Sequence, residues 1–230
     1  MAPRDFSTRL ARRASRSGIF LSDELIAGLT AYYELLSRWN RKINLTSLEN
    51  PDEAIDRLLL EPVIAARHFR EPNLRVMDGG SGGGSPSIPM KLAAPAIQLT
   101  MVEAKARKSA FLREAIRHLS LPDAVVETSR YEELLARPEL HEAFGVVSLR
   151  AVRVESRALV TLQAFLEPGG AVFLFRGPSG PEIPANLMPP LEWAGTHPLV
   201  EALQSRLTVL IKRPLGVDVP RGTSLVQSGG

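Results

Sequence analysis

The sequence predicts an α/β fold with a mostly parallel, Rossmann-like sheet that follows an N-terminal helical extension. From residue 74 onward, short apolar runs alternate with helical patterns, as is typical of parallel strands joined by helices. A glycine-rich turn follows the first apolar run, and the second run ends in an acidic residue. Ligands bind to such folds where the strands end in turns of this kind, so the same stretch predicts the functional site.

A chain of 230 residues is long enough to bury one substantial core, so we expect one main domain. Residues 1–20 are rich in arginine and are predicted to form a basic, flexible N-terminus. The main domain is predicted over residues 21–213, with N-terminal helices over 21–70 and the Rossmann-like core over 74–213. Residues 214–230 are predicted to be a disordered tail.

Two amphipathic helices are predicted before the sheet begins. Ser22 is a good N-cap, and acidic residues follow in the first turn, where the helix dipole favours them. Apolar residues then recur at three- and four-residue steps. These residues are Leu25, Leu29, Tyr32, Leu36 and Trp39. A second helix is predicted from about Asp52 to His68.

The alternating region predicts five parallel strands and a terminal pair that resembles a hairpin. The predicted strands cover residues 74–78, 98–103, 124–127, 145–149, 170–175, 191–200 and 206–212. The predicted helices between them cover residues 87–93, 105–119, 131–136 and 154–166. Several prolines between Pro178 and Pro190 indicate a loop.

The glycine-rich turn lies between Asp78 and Pro89, and five of the six residues from 79 to 84 are glycine. Glycine permits positive φ angles and removes the Cβ atoms that would hold a ligand away. The phosphate-binding template fails because no Lys-Ser or Lys-Thr pair follows, and the dinucleotide template G-x-G-x-x-G fails in every register. The spacing that fits is Asp-x-Gly-x-Gly-x-Gly, from Asp78 to Gly84. A tight turn without a ligand is the alternative.

The second predicted strand stops at Glu103, after the alternating run from Ile97 to Val102. A carboxylate here can accept hydrogen bonds from both hydroxyls of an adenosine ribose. Taken alone, Glu103 is better explained as a solvated charge at a strand end. Together with the glycine loop, it predicts ribose binding.

Composition restricts the classes of function. The chain has no cysteine, which excludes disulfide scaffolds, thiolate metal sites and thiol nucleophiles and suits a reducing cytoplasm. Its four histidines show no metal-binding spacing, so we expect no metal site. No apolar run approaches the roughly 20 residues that span a bilayer. The arginine-rich N-terminus lacks the apolar segment of a secretory signal.

The net charge is only +3, but the basic residues are clustered. They gather at the N-terminus, in residues 38–42, in residues 105–117 and in residues 150–157. Basic clusters near a ligand pocket favour a polyanionic substrate, with solvated helix faces as the alternative.

Six sequence elements occur in an order and spacing that resemble one protein family. The elements are Trp39–Thr46, Asp78–Pro89, Lys108–Arg113, Ser129–Glu133, Ser148–Val152 and Leu174–Gly177. They resemble the bacterial small-subunit (16S) ribosomal RNA guanine-N7 methyltransferases, also called glucose-inhibited division protein B, from about Leu21 to Arg213. The resemblance implies a class I S-adenosylmethionine-dependent methyltransferase fold with a seven-stranded sheet.

The resemblance also implies an activity, an enzyme of class EC 2.1.1 that methylates N7 of a guanine in 16S ribosomal RNA with S-adenosylmethionine. We expect a cytoplasmic monomer that acts on 16S ribosomal RNA or a small-subunit assembly particle, without a membrane or metal. The cofactor-binding residues that it implies are Gly80, Ser85, Arg130, Tyr131, Glu132 and Arg150. The loop and strand patterns add Asp78, Gly82 and Glu103. The expected RNA-binding residues are Asn40, Asn44, Arg153 and Arg176.

The expected chemistry needs positioning rather than a base. Guanine N7 carries an unprotonated lone pair at neutral pH, so no proton has to be removed. The enzyme must hold N7, the methyl carbon and sulfur in line, with the reacting atoms about 3–3.5 Å apart. Arg150 is the expected catalytic residue through positioning, as a donor to guanine O6 or to a phosphate. A salt bridge to a carboxylate such as Glu132 is the alternative for Arg150, and capping of a helix end is the alternative for Asn40 and Asn44.

The chain departs from the family pattern at four places, one of which is Arg176, where family members often have lysine. Ser85 replaces a bulky apolar residue, Ser87 replaces a glycine, and Leu58–Pro62 replaces a His-x-Leu-Asp-Ser stretch. These departures leave two alternatives open. One is a non-catalytic or retargeted RNA-binding paralogue on the same scaffold, and the other is a methyltransferase for a small molecule or a protein.

Overall fold

One sheet organises the described part of the computed structural model, which comprises residues 3–46, 50–150, 156–179 and 187–214. Its strands are β1 (Arg75–Gly79), β2 (Gln98–Val102), β3 (Ala124–Glu127), β4 (Phe144–Arg150), β5 (Leu166–Arg176), β6 (Leu191–Pro198) and β7 (Arg206–Lys212). Their order is β3-β2-β1-β4-β5-β7-β6. Strands β1 to β5 are parallel, and β7 runs antiparallel to both of its neighbours. The predicted mostly parallel, seven-stranded fold is confirmed.

Helices precede the sheet and connect its strands. They are α1 (Pro3–Arg16), α2 (Asp23–Ile43), α3 (Pro51–Ile55), α4 (Glu61–Ala66), α5 (Ser87–Ala93), α6 (Ala106–His118) and α7 (Ser156–Leu162). Short 3₁₀ segments occupy Glu133–Ala136, Pro138–Leu140 and Glu201–Leu203, so the predicted helix over 131–136 is a 3₁₀ turn. The predicted loop between Pro178 and Pro190 lies largely outside the described residues, as does the predicted tail after Pro214.

The core lies on both faces of the sheet because successive strand residues point to opposite sides. Val76 and Val146 pack on the face that also receives α2 and α6, whereas Met77 and Val147 pack on the face covered by α7. All four of these side chains are buried. A parallel sheet with two covered faces explains why β1 and β4 are buried almost continuously rather than at alternate residues.

Helix α2 forms as predicted and packs its apolar stripe against α5 and α6. The backbone N–H of Leu25 donates to Ser22 Oγ at 3.2 Å, which confirms Ser22 as the N-cap. Trp39 packs edge-to-face against Phe111, with ring centroids 5.8 Å apart. Trp39 therefore belongs to the packing between α2 and α6.

The N-terminus differs from the flexible segment predicted over residues 1–20. Helix α1 buries Phe6, Leu10 and Ala14, which recur every four residues along one face. Two of its arginines, Arg9 and Arg13, are paired with carboxylates, and Arg13 Nε donates to Asp56 Oδ1 at 2.7 Å. The apolar stripe is short and interrupted by arginines, and the carboxylates that compensate them, Asp52 and Asp56, are 43 positions away in the sequence.

The helix predicted from Asp52 to His68 is interrupted by a π-helical turn over Asp56–Leu60. Pro62 has no N–H, so it cannot complete the α-helical hydrogen bond to the Leu58 carbonyl. The Glu61 N–H instead bonds to the Asp56 carbonyl five residues back. The Leu58 carbonyl accepts a hydrogen bond from Ser85 Oγ at 2.9 Å. The irregular turn is thereby tied to the glycine loop.

Among the helices that the structure describes, none combines the length and the apolar character that crossing a bilayer requires.

Candidate active site

The glycine loop leaves β1 at the carboxyl edge of the sheet and leads into α5. Gly80, Gly82 and Gly84 have φ angles of +74°, +54° and +84°, which side chains rarely tolerate. A Cβ placed on Gly80 would meet nothing within 4 Å, so open space lies beside this backbone. A Cβ on Gly84 would lie 2.5 Å from Ile88 Cδ1, so this glycine is also required by packing. The three glycines of the predicted template thus shape the turn and leave room for a ligand.

The end of β2 holds the loop in place. Glu103 is buried, and its Oε2 accepts a hydrogen bond from the Gly82 N–H at 2.9 Å. Its Oε1 accepts from the Lys105 N–H at 2.8 Å. Each carboxylate oxygen has two lone pairs, so this arrangement leaves acceptor capacity for ligand hydroxyls. The structure therefore gives Glu103 a loop-holding role beside its predicted contact with ribose, which remains a prediction.

Helix α2 holds the loop from the other side through Tyr32. This side chain is fully buried, and its hydroxyl donates to the Gly83 carbonyl at 2.6 Å. Burial raises the pKa of Tyr32, so the hydroxyl stays protonated and able to donate. In the sequence Tyr32 is one of several stripe residues, and nothing there singled it out as a contact of the loop.

We expect Tyr32→Phe to lower the free energy of unfolding by about 1–3 kcal/mol, because the Gly83 carbonyl loses its buried donor. Cofactor affinity should fall several-fold because the loop is held less firmly. Urea denaturation and titration calorimetry measure the two effects. Tyr33→Phe is the matched control, since Tyr33 is half-buried and stacks on Phe6 away from the loop. Equal effects of the two variants would contradict the assignment.

Asp78 lies at the carboxyl end of β1 and is fully buried. Its Oδ1 accepts a hydrogen bond from Ser148 Oγ on β4 at 2.6 Å, while Oδ2 is buried without a partner among the described residues. Burial raises the pKa of Asp78, and the Ser148 hydrogen bond, the nearby Ser81 and Ser87 hydroxyls and the Arg150 charge oppose that shift. An unpartnered buried carboxylate oxygen is costly unless a ligand supplies a donor.

Arg150 ends β4 beside this carboxylate and is held by two contacts. Its Nη1 donates to Glu61 Oε2 at 2.6 Å, and its guanidinium carbon lies 4.8 Å from the centroid of the Phe175 ring. The predicted alternative of a salt bridge is correct in kind, but the carboxylate is Glu61 rather than Glu132. Glu132 is exposed at the start of a 3₁₀ turn. Arg150 Nε and Nη2 are buried and have no partner in the described residues.

The remaining predicted cofactor residues differ in their surroundings. The Ser85 hydroxyl donates its hydrogen bond to the Leu58 carbonyl, so Ser85 stabilises the fold of the loop. Arg130 and Glu132 are exposed, and Tyr131 is half-buried, in the segment after β3. Because β3 lies next to β2, these residues follow the strand beside Glu103. Their contact with cofactor remains a prediction from the resemblance.

Of the predicted RNA-binding residues, Asn40 is engaged within the fold, and its contact with RNA remains a prediction. Its Oδ1 accepts from the N–H groups of Leu45 and Thr46 at 2.6 and 2.9 Å, and its Nδ2 donates to the Thr46 carbonyl at 2.8 Å. The amide therefore shapes the turn after α2, which was the alternative. Asn44 is exposed at the C-cap, with a φ of +20°. Arg153 lies outside the described residues.

Arg176 ends β5 and pairs in register with Arg206 on β7. Burial and the neighbouring charge of Arg206 lower the pKa of Arg176. Like charges placed opposite each other are unfavourable unless an anion lies nearby. This position is consistent with the predicted contact with an RNA phosphate, which remains a prediction.

The residues at this edge of the sheet leave room for an adenosyl ligand. Within the described ranges, no cluster of three or more histidines or acids could bind a metal ion. The profile of the family described as GidB, rRNA small subunit methyltransferase G, matches residues 25–183. The chain belongs to this family. It is 30% identical over 174 residues to the Ribosomal RNA small subunit methyltransferase G of Acetivibrio thermocellus, covering 76% of this chain and 72% of that protein.

A second methyltransferase G, from Xanthomonas axonopodis pv. citri, is 34% identical over 190 residues, which cover 81% of this chain and 86% of that protein. A solved structure with the same fold, described as a predicted O-methyltransferase from Agrobacterium tumefaciens, has a TM-score of 0.51. Its sequence is 15% identical, and the match covers 66% of this chain and 80% of that one. The predicted family, fold class and enzyme class of this chain are confirmed.

Methyltransferase G proteins use S-adenosylmethionine, and the residues present here fit that ligand. Open space lies beside Gly80, and Asp78 Oδ2 and the Nε–Nη2 edge of Arg150 are buried without partners among the described residues. The Asp78 oxygen is an acceptor that complements the ammonium group of an amino acid. The two Arg150 nitrogens are donors that complement its carboxylate group. Sequence reasoning missed Tyr32 and Ser148 as site residues. Ser148 lies in a motif that carried the resemblance, so its position two residues before Arg150 was the available signal.

Proposed function

We propose that this chain transfers the methyl group of S-adenosylmethionine to N7 of a guanine in 16S ribosomal RNA. Family membership supplies the reaction class and the ribosomal RNA substrate. The observation that carries the finer proposal is the placement of Arg150 beside Asp78 and the glycine loop, at one edge of the sheet. Bound S-adenosylmethionine supplies an electrophilic methyl group on a sulfonium.

The residues around the loop account for cofactor binding. Glu103 presents unused lone pairs where the ribose hydroxyls are expected, and Gly80 leaves space for the ligand beside the backbone. The unpartnered Asp78 Oδ2 supports a contact with the ammonium group of the cofactor. The exposed segment from Arg130 to Glu132 follows β3 and is expected to border the adenine.

Methyl transfer to N7 requires no titrating residue, which agrees with this site. Among the described residues, the carboxylates nearest the loop already accept hydrogen bonds within the fold, Glu103 from two backbone N–H groups and Asp78 from Ser148. Neither is needed as a base because N7 is unprotonated at neutral pH. The contribution of the enzyme is to orient the base and to exclude water from the reacting atoms.

Basic residues beside the site support a polyanionic substrate. A surface groove near the C-terminal end of α2 is lined by Arg38, Arg41 and Lys42 together with Trp39. The preceding turns of α2 pack on the loop, since a Cβ on Gly83 would lie 3.2 Å from Leu36 Cδ1. Phosphate binding by such residues weakens steeply as salt rises, because counterions are released on binding.

An in vitro assay tests the proposal. The protein, labelled S-adenosylmethionine and unmethylated 16S ribosomal RNA, free or in 30S particles, are combined, and the nucleosides are analysed by mass spectrometry. We expect N7-methylguanosine at a single site, with an RNA affinity that falls as salt rises. Methylation of another atom or of protein would contradict the proposal, and cofactor binding without turnover on any RNA would favour the non-catalytic alternative.

The proposal includes a monomer that acts in the cytoplasm on ribosomal RNA or an assembling small subunit. The absence of cysteine from the sequence suits a reducing compartment. Analytical ultracentrifugation at micromolar concentration tests the monomer, with a single species of about 25 kDa expected from the mass of 25.1 kDa.

A further inference from the structure

The guanidinium of Arg150 is paired on one side and lacks a hydrogen-bond partner on the other among the described residues. Its Nη1 is paired with Glu61 at 2.6 Å, and its guanidinium plane is backed by the Phe175 ring. The side edge of a guanidinium, formed by Nε and Nη2, presents two parallel N–H donors. Both of these atoms are buried and lack a partner among the described residues. A rigid pair of unused donors in a buried position indicates a ligand with two acceptor oxygens.

Among the described residues, the contact given for the Glu61 side chain is the ion pair with Arg150. Its side chain is only 4% exposed, whereas that of Arg150 is 23% exposed. A carboxylate is costly to bury, and an ion pair with a partly exposed arginine returns little net stability compared with an apolar pair. Glu61 also follows the π-helical turn and precedes Pro62, so the irregular backbone determines where its side chain begins. The buried position of the Glu61 carboxylate is better explained if Glu61 fixes the orientation of the Arg150 guanidinium.

The chemistry of the reaction restricts which group can bind to the unpartnered Nε–Nη2 edge of Arg150. An N–H that donates to guanine N7 would occupy the lone pair that must attack the methyl carbon. The edge therefore does not bind the O6 and N7 pair of the reacting base in the way that arginine commonly reads guanine. A carboxylate or a phosphate offers two oxygens in the geometry of the fork.

We propose that Glu61 is a positioning residue that fixes Nη1 of Arg150 and so directs its Nε–Nη2 edge toward a two-oxygen anion in the active site. The anion is the carboxylate of the cofactor or a phosphate of the RNA. The inference rests on the proposed function for the identity of these ligands. It does not depend on turnover, because each ligand binds without the other.

The test is a double-mutant cycle read by binding. Glu61→Ala and Glu61→Gln are made in the natural chain and in Arg150→Met, which keeps an apolar stem against Phe175. Titration calorimetry measures the affinity for S-adenosylmethionine and for its decarboxylated form, and fluorescence anisotropy measures the affinity for a 16S RNA fragment. None of these measurements requires methyl transfer, so an inactive protein would reject the proposed function without affecting this test.

We expect Glu61→Ala to weaken one of these affinities about tenfold in the natural chain and less than twofold in Arg150→Met. We expect Glu61→Gln, which retains an acceptor oxygen and the side-chain size, to have a smaller effect in the same direction. Loss for S-adenosylmethionine but not for the decarboxylated form identifies the cofactor carboxylate, and loss for RNA alone identifies a phosphate. Equal losses in both backgrounds would show a merely structural role, and unchanged affinities for all three ligands would also overturn the proposal. Glu61→Gln keeps the test valid should Glu61→Ala fail to fold.

Discussion

Methyl transfer by Arg150→Met is expected to fall by about 10²- to 10³-fold in kcat, the range found when one positioned donor is removed from an active site. Methionine fills the space of the arginine stem but has no N–H group to hold an anion or a base. The variant should also lose stability, since the buried Glu61 carboxylate is left without its cation. Removing one partner of a buried pair costs about 3–5 kcal/mol, and the partial exposure of Arg150 places this case at about 3 kcal/mol.

A second substitution separates the two effects on Arg150→Met. Glu61→Met in the same chain removes the stranded charge, so the free energy of unfolding should recover most of the loss. The rate should stay low because the donors are still missing. Single-turnover assays with saturating cofactor measure the rate, and chemical denaturation measures stability. A double variant that regains both rate and stability would show that Arg150 serves only the fold.

The affinity of Glu103→Ala for S-adenosylmethionine is expected to be about 100-fold weaker than that of the natural chain. Two hydroxyl contacts to a charged acceptor contribute about 1.5 kcal/mol each at the lower end of their range. The Gly82 and Lys105 N–H groups also lose their acceptor, and because both lie where water can reach them, we expect a stability loss of about 1 kcal/mol.

Glu127→Ala is the matched control for the Glu103 variant. Glu127 ends the neighbouring strand β3 and pairs with Arg137 at 3.1 Å, outside the glycine loop. Its removal should leave cofactor affinity within about twofold. Glu103→Gln keeps one acceptor oxygen and should show an intermediate loss by calorimetry. An affinity for Glu103→Ala equal to that of the natural chain would refute the ribose assignment, even if the loop-holding contacts are real.

The elements of the sheet could be predicted because their signals are local. Strands β2 and β3 match the predictions within one residue, and α5 matches over Ser87–Ala93. Each apolar run is bounded by glycine, proline or charged residues, which end strands and helices by their backbone preferences. Strand β5 begins at Leu166, four residues before the prediction, because Leu166 pairs with Phe144 across an irregularity in the register. Such pairing depends on a distant strand.

Helix α1 and the π-helical turn over Asp56–Leu60 differ from the predictions for the same physical reason. Helix α1 depends on an apolar stripe that is short and divided by arginines, and its charges are compensated by Asp52 and Asp56 on another helix. The π-helical turn depends on Pro62, whose effect was visible in the sequence, but the partner for the Leu58 carbonyl is Ser85, 27 residues away. Local propensity indicates which backbone carbonyl loses its helical hydrogen-bond donor. It does not indicate which distant side chain will replace that donor.

By itself, the sequence determined the fold class, the glycine loop, the acid at the end of β2 and the family of this protein, since all of these are written in short motifs and local periodicity. Only the tertiary structure decided which side chains hold these parts in place. Tyr32 on the Gly83 carbonyl, Ser148 on Asp78 and Glu61 on Arg150 join residues 51, 70 and 89 positions apart. The physical reason is that a buried polar group takes its partner from whichever chain segment packs against it, and that choice is made by the packing of the whole domain.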